Sequence, residues 1–225
     1  MALIVCDDLA AQVEQAVASI AATLARAIDT QGEARLAVSG GRSPIALFAA
    51  LADADLDWRR VTICLVDERA VPPDHADSNA ALVREHLWVR RAAVARFEPL
   101  VDDPNDIDGC VRRANATAKP VTLAILGMGD DGHTASLFPD APQTARGLDP
   151  TNPQAYLAVD PPTAPHRRIS MSLAALQQAQ RLVLWIQGEA KRAVYARAAA
   201  SATPALPVSL LLHQQSVPVD VYWSP

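Results

Sequence analysis

Between residues 9 and 28, apolar side chains recur at helical spacing. Leu9, Val13, Ala16, Val17, Ile20, Leu24 and Ile28 fall on one face, which predicts an amphipathic helix. Arg35 to Val38 reads as a short apolar strand. It runs into Ser39-Gly40-Gly41-Arg42-Ser43-Pro44 and then a helical run from Ile45 to Leu51. Pro44 suits the first helical position, where no backbone N–H is needed. Val61 to Val66 is nearly all apolar and rich in β-branched residues, as expected of a parallel strand buried on both faces. It ends in Asp67-Glu68-Arg69 and a loop carrying Pro72-Pro73. Ser78 or Asn79 can cap the next helix, which is expected to run through Trp88. A second buried strand, Val121 to Leu126, ends in Gly127-Met128-Gly129-Asp130-Asp131-Gly132-His133. A third, Arg181 to Ile186, ends in Gln187-Gly188-Glu189 and a helix holding Lys191.

Strands that run into polar loops and then helices imply parallel crossovers, so the expected fold is α/β with a doubly wound, mostly parallel sheet. Ligands of such sheets bind at the carboxyl ends of the strands, where the polar clusters lie here. The pattern shows no repeat, no low-complexity linker and no domain boundary. The proline-rich stretches at 161–165 and 204–207 read as loops, and residues 1–225 read as a single domain.

Composition narrows the class. A chain of 225 residues suits one large α/β domain or two small ones, and half of the residues are hydrophobic. With 44 Ala and 10 aromatics, the core must rely on Ala, Val and Leu in close helix packing. The net charge of −5 argues against nucleic-acid binding, which rests on neutralising phosphates. A few placed Arg and Lys can still hold one phosphate. Cys6, Cys64 and Cys110 are odd in number and far apart, with no metal spacing, so a reducing, cytoplasmic setting is expected. The N-terminal residues lack the pattern of a signal peptide, and no apolar run reaches ~18 residues, so no membrane span is expected.

Three segments carry chemistry. The glycine turn at 39–44 lets the backbone approach an anion, and a following helix N-terminus favours negative charge. It is neither a Walker A loop nor a dinucleotide fingerprint, and an ordinary tight turn is the alternative. Asp67-Glu68-Arg69 reads as a solvated turn or as site residues: Arg69 can grip an oxyanion, and Asp67 can orient that Arg or act as a base. In Gly127–His133, Asp131 stands two residues before His133. A carboxylate can fix the tautomer of an imidazole and raise its basicity. A metal site is the rival there, but one His beside two Asp is a thin ligand set. His75, His86 and His213 read as surface or structural. Ser39 and Ser43 lack the nucleophile-elbow context of a hydrolase serine.

Taken in order, Ser39-Gly40-Gly41-x-x-Pro44, Asp67-Glu68-Arg69 and Leu126-Gly127-Met128-Gly129-x-Asp131-Gly132-His133-Thr134-Ala135-Ser136-Leu137-Phe138-Pro139 resemble the 6-phosphogluconolactonase family. The likeness extends to Arg168-Ile169-Ser170 and Gly188-x-x-Lys191. It implies a three-layer α/β/α fold and hydrolysis of 6-phosphoglucono-δ-lactone, a step of the pentose phosphate pathway, without metal or cofactor. It also implies that Gly40, Gly41, Arg42, Ser43, Arg168 and Lys191 hold the 6-phosphate. Arg69 would reach the reacting end, and His133, oriented by Asp131, would be the catalytic base, with Asp67 next in line. The sugar phosphate lactone would be the partner, with no nucleic acid or membrane, and the protein a monomer or weak dimer. One departure is Thr163, where the family often has Lys; Arg42, His166 or Arg167 are the substitutes at hand. Glucosamine-6-phosphate deaminases share the glycine loop but carry a Glu five residues after the loop His, where this chain has Phe138. A sugar-phosphate sensor would need neither Asp131 nor His133.

Overall fold

In the computed structural model, which describes residues 1–225, the strands are β1 (Ala2–Val5), β2 (Ala34–Val38), β3 (Val61–Leu65), β4 (Asp67–Arg69), β5 (Arg96–Glu98), β6 (Leu123–Leu126), β7 (Tyr156–Val159), β8 (Arg168–Met171), β9 (Arg181–Gln187) and β10 (Val219–Ser224). The helices are α1 (Leu9–Gln31), α2 (Ile45–Leu51), α3 (Asn79–His86), α4 (Ile107–Thr117), α5 (Thr144–Gly147), α6 (Leu173–Leu176), α7 (Gly188–Ala200) and α8 (Pro207–His213). Seven strands form an all-parallel sheet in the order β1-β10-β9-β6-β2-β3-β5, flanked by helices in a three-layer α/β/α arrangement. From β2 the chain steps outward through β3 to β5. It then returns to the other side of β2 with β6, and continues through β9 to β10. The β2/β6 boundary is therefore the topological switch point, where successive loops diverge and leave a crevice.

The apolar runs behave as their composition requires. β6 is buried at every position and β3 at all but Thr62. A cluster of 56 buried residues fills the space between sheet and helices. On α1 the buried line is Gln12, Ala16, Ile20, Leu24, Ala27 and Ile28; Leu9 is exposed, and Val13 and Val17 are half-buried. The face turns from its expected line because Gln12 is fully buried. Its amide donates to the Ile186 and Tyr222 carbonyls, 3.0 Å each, and accepts from Ser224 Oγ at 2.8 Å. β1, the first strand, pairs only with β10, the last, in the register Ala2↔Asp220 to Val5↔Trp223.

Three expectations need correction. Asp67-Glu68-Arg69 is not a turn but strand β4. It joins β8 and β7 in a second, antiparallel sheet that no periodicity in the sequence signals. Three residues are too few to show a period, and the apolar β8 and β7 read equally well as loop-borne fragments. Pro44 (φ −83°) caps α2 from outside instead of occupying its first turn. α3 ends at His86, short of Trp88, whose indole turns away to donate to the Ala95 carbonyl.

All three cysteines are free and buried. Burial pushes the Cys64 thiol up to about 12, and burial together with Asp7 and Asp8 raises that of Cys6. Because the thiolate is the nucleophile and burial closes off all three sulfurs, with the Cys6 and Cys64 thiols also raised, all three should stay unmodified by a thiol reagent at pH 8 in native buffer. All should react in denaturant, as mass spectrometry of the two samples would show.

Candidate active site

The carboxyl ends of β2, β3, β6 and β9 meet at the crevice. Its walls are the glycine turn after β2, β4 after β3, the Gly127–His133 loop after β6 and the start of α7 after β9. The cleft, open to solvent on one side, measures about 200 Å³ and brings together Gly40, Gly41, Ser43, Asp67, Arg69, His133, Arg168 and Lys191. Asp131 stands behind His133. Arg42 is exposed and does not line the cleft.

Strand alternation explains β4. Asp67 and Arg69 point into the cleft, and Glu68 points away toward α3. Glu68 is buried, and it caps that helix from outside. Its Oε1 accepts from the Asn79 and Arg69 N–H groups (2.8 and 2.7 Å). Its Oε2 accepts from Ala80 N (2.8 Å) and Ser78 Oγ (3.1 Å). Burial raises its pKa despite these backbone bonds. The expected Asp67–Arg69 pairing is not formed. Asp67 accepts from Ser136 Oγ at 2.6 Å and from Asn79 Nδ2 at 3.4 Å, whereas Arg69 donates to the Asp77 carbonyl at 2.6 Å.

Antiparallel register sets Arg69 directly opposite Arg168. Like charges facing each other across a sheet are unfavourable unless an anion joins them. Arg168 is only 7% exposed, and burial lowers its pKa, with Arg69 acting in the same direction. Buried polar atoms are almost always paired. Five here are not, and four of them belong to residues of this cleft: Ser39 Oγ, Asn79 Oδ1, Arg69 Nε and Arg168 Nε. Lys191 completes the cationic rim, with its Nζ 2.7 Å from Asp130 Oδ1. Asp130 is 85% exposed, so this pair is weak and readily exchanged. Of the substitutes for a cation at position 163, Arg167 is held by Asp108 and Asp160 and His166 by Asp77, and none lines the cleft.

Asp131 Oδ1 accepts from the His133 backbone N–H (3.0 Å) and faces Nδ1 at 2.6 Å. An ionised carboxylate only accepts, so Nδ1 donates to it, and in the neutral ring Nε2 is then the free base nitrogen. Gly129 makes room for the pair: a Cβ there would lie 2.1 Å from Nδ1 and 2.4 Å from Asp131 Oδ1. Gly40 is equally tight, since a Cβ would meet Asn79 Oδ1 at 1.7 Å. The ring of His133 stacks on Phe138 (centroids 4.1 Å apart, planes at 29°), and the Arg168 guanidinium carbon lies 5.2 Å from the centroid of the same Phe. No three His, Cys, Asp or Glu side chains converge as a metal site.

Burial raises the Asp131 carboxyl, but the two bonds from His133 outweigh it and the net shift is downward. A depressed carboxylate pKa keeps the pair intact above the ordinary value of about 3.9 and loses it only as pH falls through the folded value. Asp131 is therefore ionised throughout pH 5–8, and Asp131→Asn should lower kcat at every pH in that range. Parallel pH–rate profiles of the two proteins would check this.

The model of the family of glucosamine-6-phosphate isomerases and 6-phosphogluconolactonases matches residues 7–223. The chain belongs to that family. A 6-phosphogluconolactonase of Neisseria meningitidis serogroup A is 44% identical over 221 residues, covering 96% of each chain. One of Pseudomonas putida is 40% identical over 210 residues, 92% of this chain and 86% of that protein. The crystal structure of a 6-phosphogluconolactonase from Shewanella baltica superposes with a TM-score of 0.94 at 37% identity, over 100% of this chain and 98% of the other. Family membership agrees with the glycine turn, Asp-Glu-Arg and His-loop motifs that first suggested it. No cleft role was legible in the sequence for Asn79, Ser136, Trp185 or Gln187, which contribute to the cleft or its support. Asn79 stands there as a candidate helix cap, Ser136 inside the His-loop motif and Gln187 at the end of a buried strand; the fold brings them to the cleft.

Proposed function

We propose that this protein hydrolyses 6-phospho-D-glucono-1,5-lactone to 6-phospho-D-gluconate, by general-base activation of water at His133. The observation that carries the reading is a held Asp131–His133 pair in a cleft whose other charged walls are Asp67, Arg69, Arg168 and Lys191. The names of the relatives, matched over almost their full lengths, support the same substrate.

In this reading the 6-phosphate lies against the Gly40-Gly41-Ser43 turn, Arg168 and Lys191, displacing Asp130 from Lys191. Nε2 of His133 takes a proton from water as the oxygen attacks the lactone carbonyl. Arg69 and loop amides stabilise the tetrahedral oxyanion. As that intermediate collapses, the bond to the ring oxygen breaks, and protonated His133 delivers its proton there. Asp67, fixed by Ser136 and Asn79, faces the substrate ring and is the alternative base. The chain acts as one domain, a monomer or weak dimer in the cytoplasm, with no nucleic-acid partner and no cofactor. No helix is long and apolar enough to cross a membrane.

The test generates the lactone in place from glucose 6-phosphate and follows acid release against the spontaneous rate. Acceleration is the expected result, with no turnover of glucosamine 6-phosphate. No acceleration, or glucosamine 6-phosphate turnover in its place, would overturn the reading.

A further inference from the structure

The hydrogen bond to Asp131 fixes one point of the His133 ring but not its plane. Rotation about the last torsion of His is broad and roughly two-fold, so the side chain's own preferences do not set the plane either. On the edge carrying Nδ1 and Cε1, beside Asp131, lies Gly129, which has no side chain. The ring's face stacks on Phe138 at 4.1 Å and 29°; Phe138 is only 4% exposed and seated in its own small cluster with Leu137, Ala141, Leu148, Leu157 and Val159. That cluster is separate from the main core and includes Leu157 and Val159 of β7, the strand paired with β8, so the ring is anchored to the sheet that carries Arg168. The Arg168 guanidinium rests against the same ring.

We infer that Phe138 is a positioning residue: its ring sets the plane of His133, aims Nε2, and fixes the base relative to Arg168. This rests on the proposed role of His133. A misplacement of about 1 Å can cost on the order of 10²-fold in rate, so loss of the stack should be read in turnover and not in binding.

Phe138→Leu keeps an apolar side chain and removes the flat face. Phe138→Tyr keeps the face. For Phe138→Leu we expect kcat to fall roughly 10- to 100-fold with KM within about twofold. For Phe138→Tyr we expect near-normal kcat. By proton NMR, the ring-current shift of the His133 Cε1 proton should be present in the wild type and the Tyr variant, and lost in the Leu variant. Phe138→Met serves the same purpose should the Leu variant fail to fold. Normal kcat in the Leu or Met variant, or an unchanged His133 resonance, would overturn the inference. If His133→Ala itself retained turnover, the base assignment would fall instead, and the NMR comparison would still decide what Phe138 holds.

Discussion

His133→Ala is expected to lower kcat by about 10²–10⁴-fold while KM changes little. The asymmetry follows from the geometry. His133 enters the cleft from the loop after β6, with Asp131 behind it, whereas the groups suited to a phosphate come from the turn after β2, from β8 and from α7. Removing the imidazole takes away proton transfer and leaves the anion-binding wall intact. Steady-state kinetics of wild type and variant, corrected for spontaneous opening, measure both constants. Near-normal kcat in the variant would move the base to Asp67, and a parallel rise in KM would mean that His133 serves binding.

Glu68→Ala is expected to be the most destabilising single change near the cleft. Its carboxylate is 1% exposed and accepts from three backbone N–H groups and the Ser78 hydroxyl. Alanine would leave those donors buried without partners, at roughly 1–3 kcal/mol each before relaxation, for an expected loss of about 4 kcal/mol. For a chain of this size, that lowers Tm by on the order of 10 °C. Glu68→Gln, which retains one acceptor but turns an NH₂ toward two donors, should fall between. Because burial raises the folded-state pKa, the glutamate's contribution to stability is fully present below the unfolded pKa of about 4.3 and declines as pH rises through the folded value. Urea midpoints of wild type and Glu68→Gln at several pH values between 4 and 7 would show that slope in the wild type and its reduction in the variant.

The buried parallel strands and the polar clusters at their ends were legible because continuous β-branched runs have few other homes. The long helix was legible because its apolar spacing repeats over more than five turns. Gln12 was not, since a polar residue on an apolar helix face is explained only by strand carbonyls some 170 and 210 positions away. Glu68 and Asp67 look alike in sequence. Only the alternation of a three-residue strand sends one to a helix cap and the other to the cleft. Arg69 and Arg168 become neighbours through antiparallel register alone, and no local pattern encodes that. Arg42, next to the glycines, reads in sequence as one of the phosphate-holding residues; it is exposed and does not line the cleft.

The pairing of β1 with β10 has a consequence for how the protein is made. During synthesis Ala2–Val5 emerges first, but its only strand partner, Val219–Ser224, emerges more than 200 residues later. The same delay applies to Tyr222 and Ser224, which satisfy the buried amide of Gln12. Until then the nascent chain carries an apolar strand without its neighbour and a helix anchor with only the Ile186 carbonyl to bind. The sheet edge can close only once both segments have been made, so these contacts of very long sequence separation form late and slow folding.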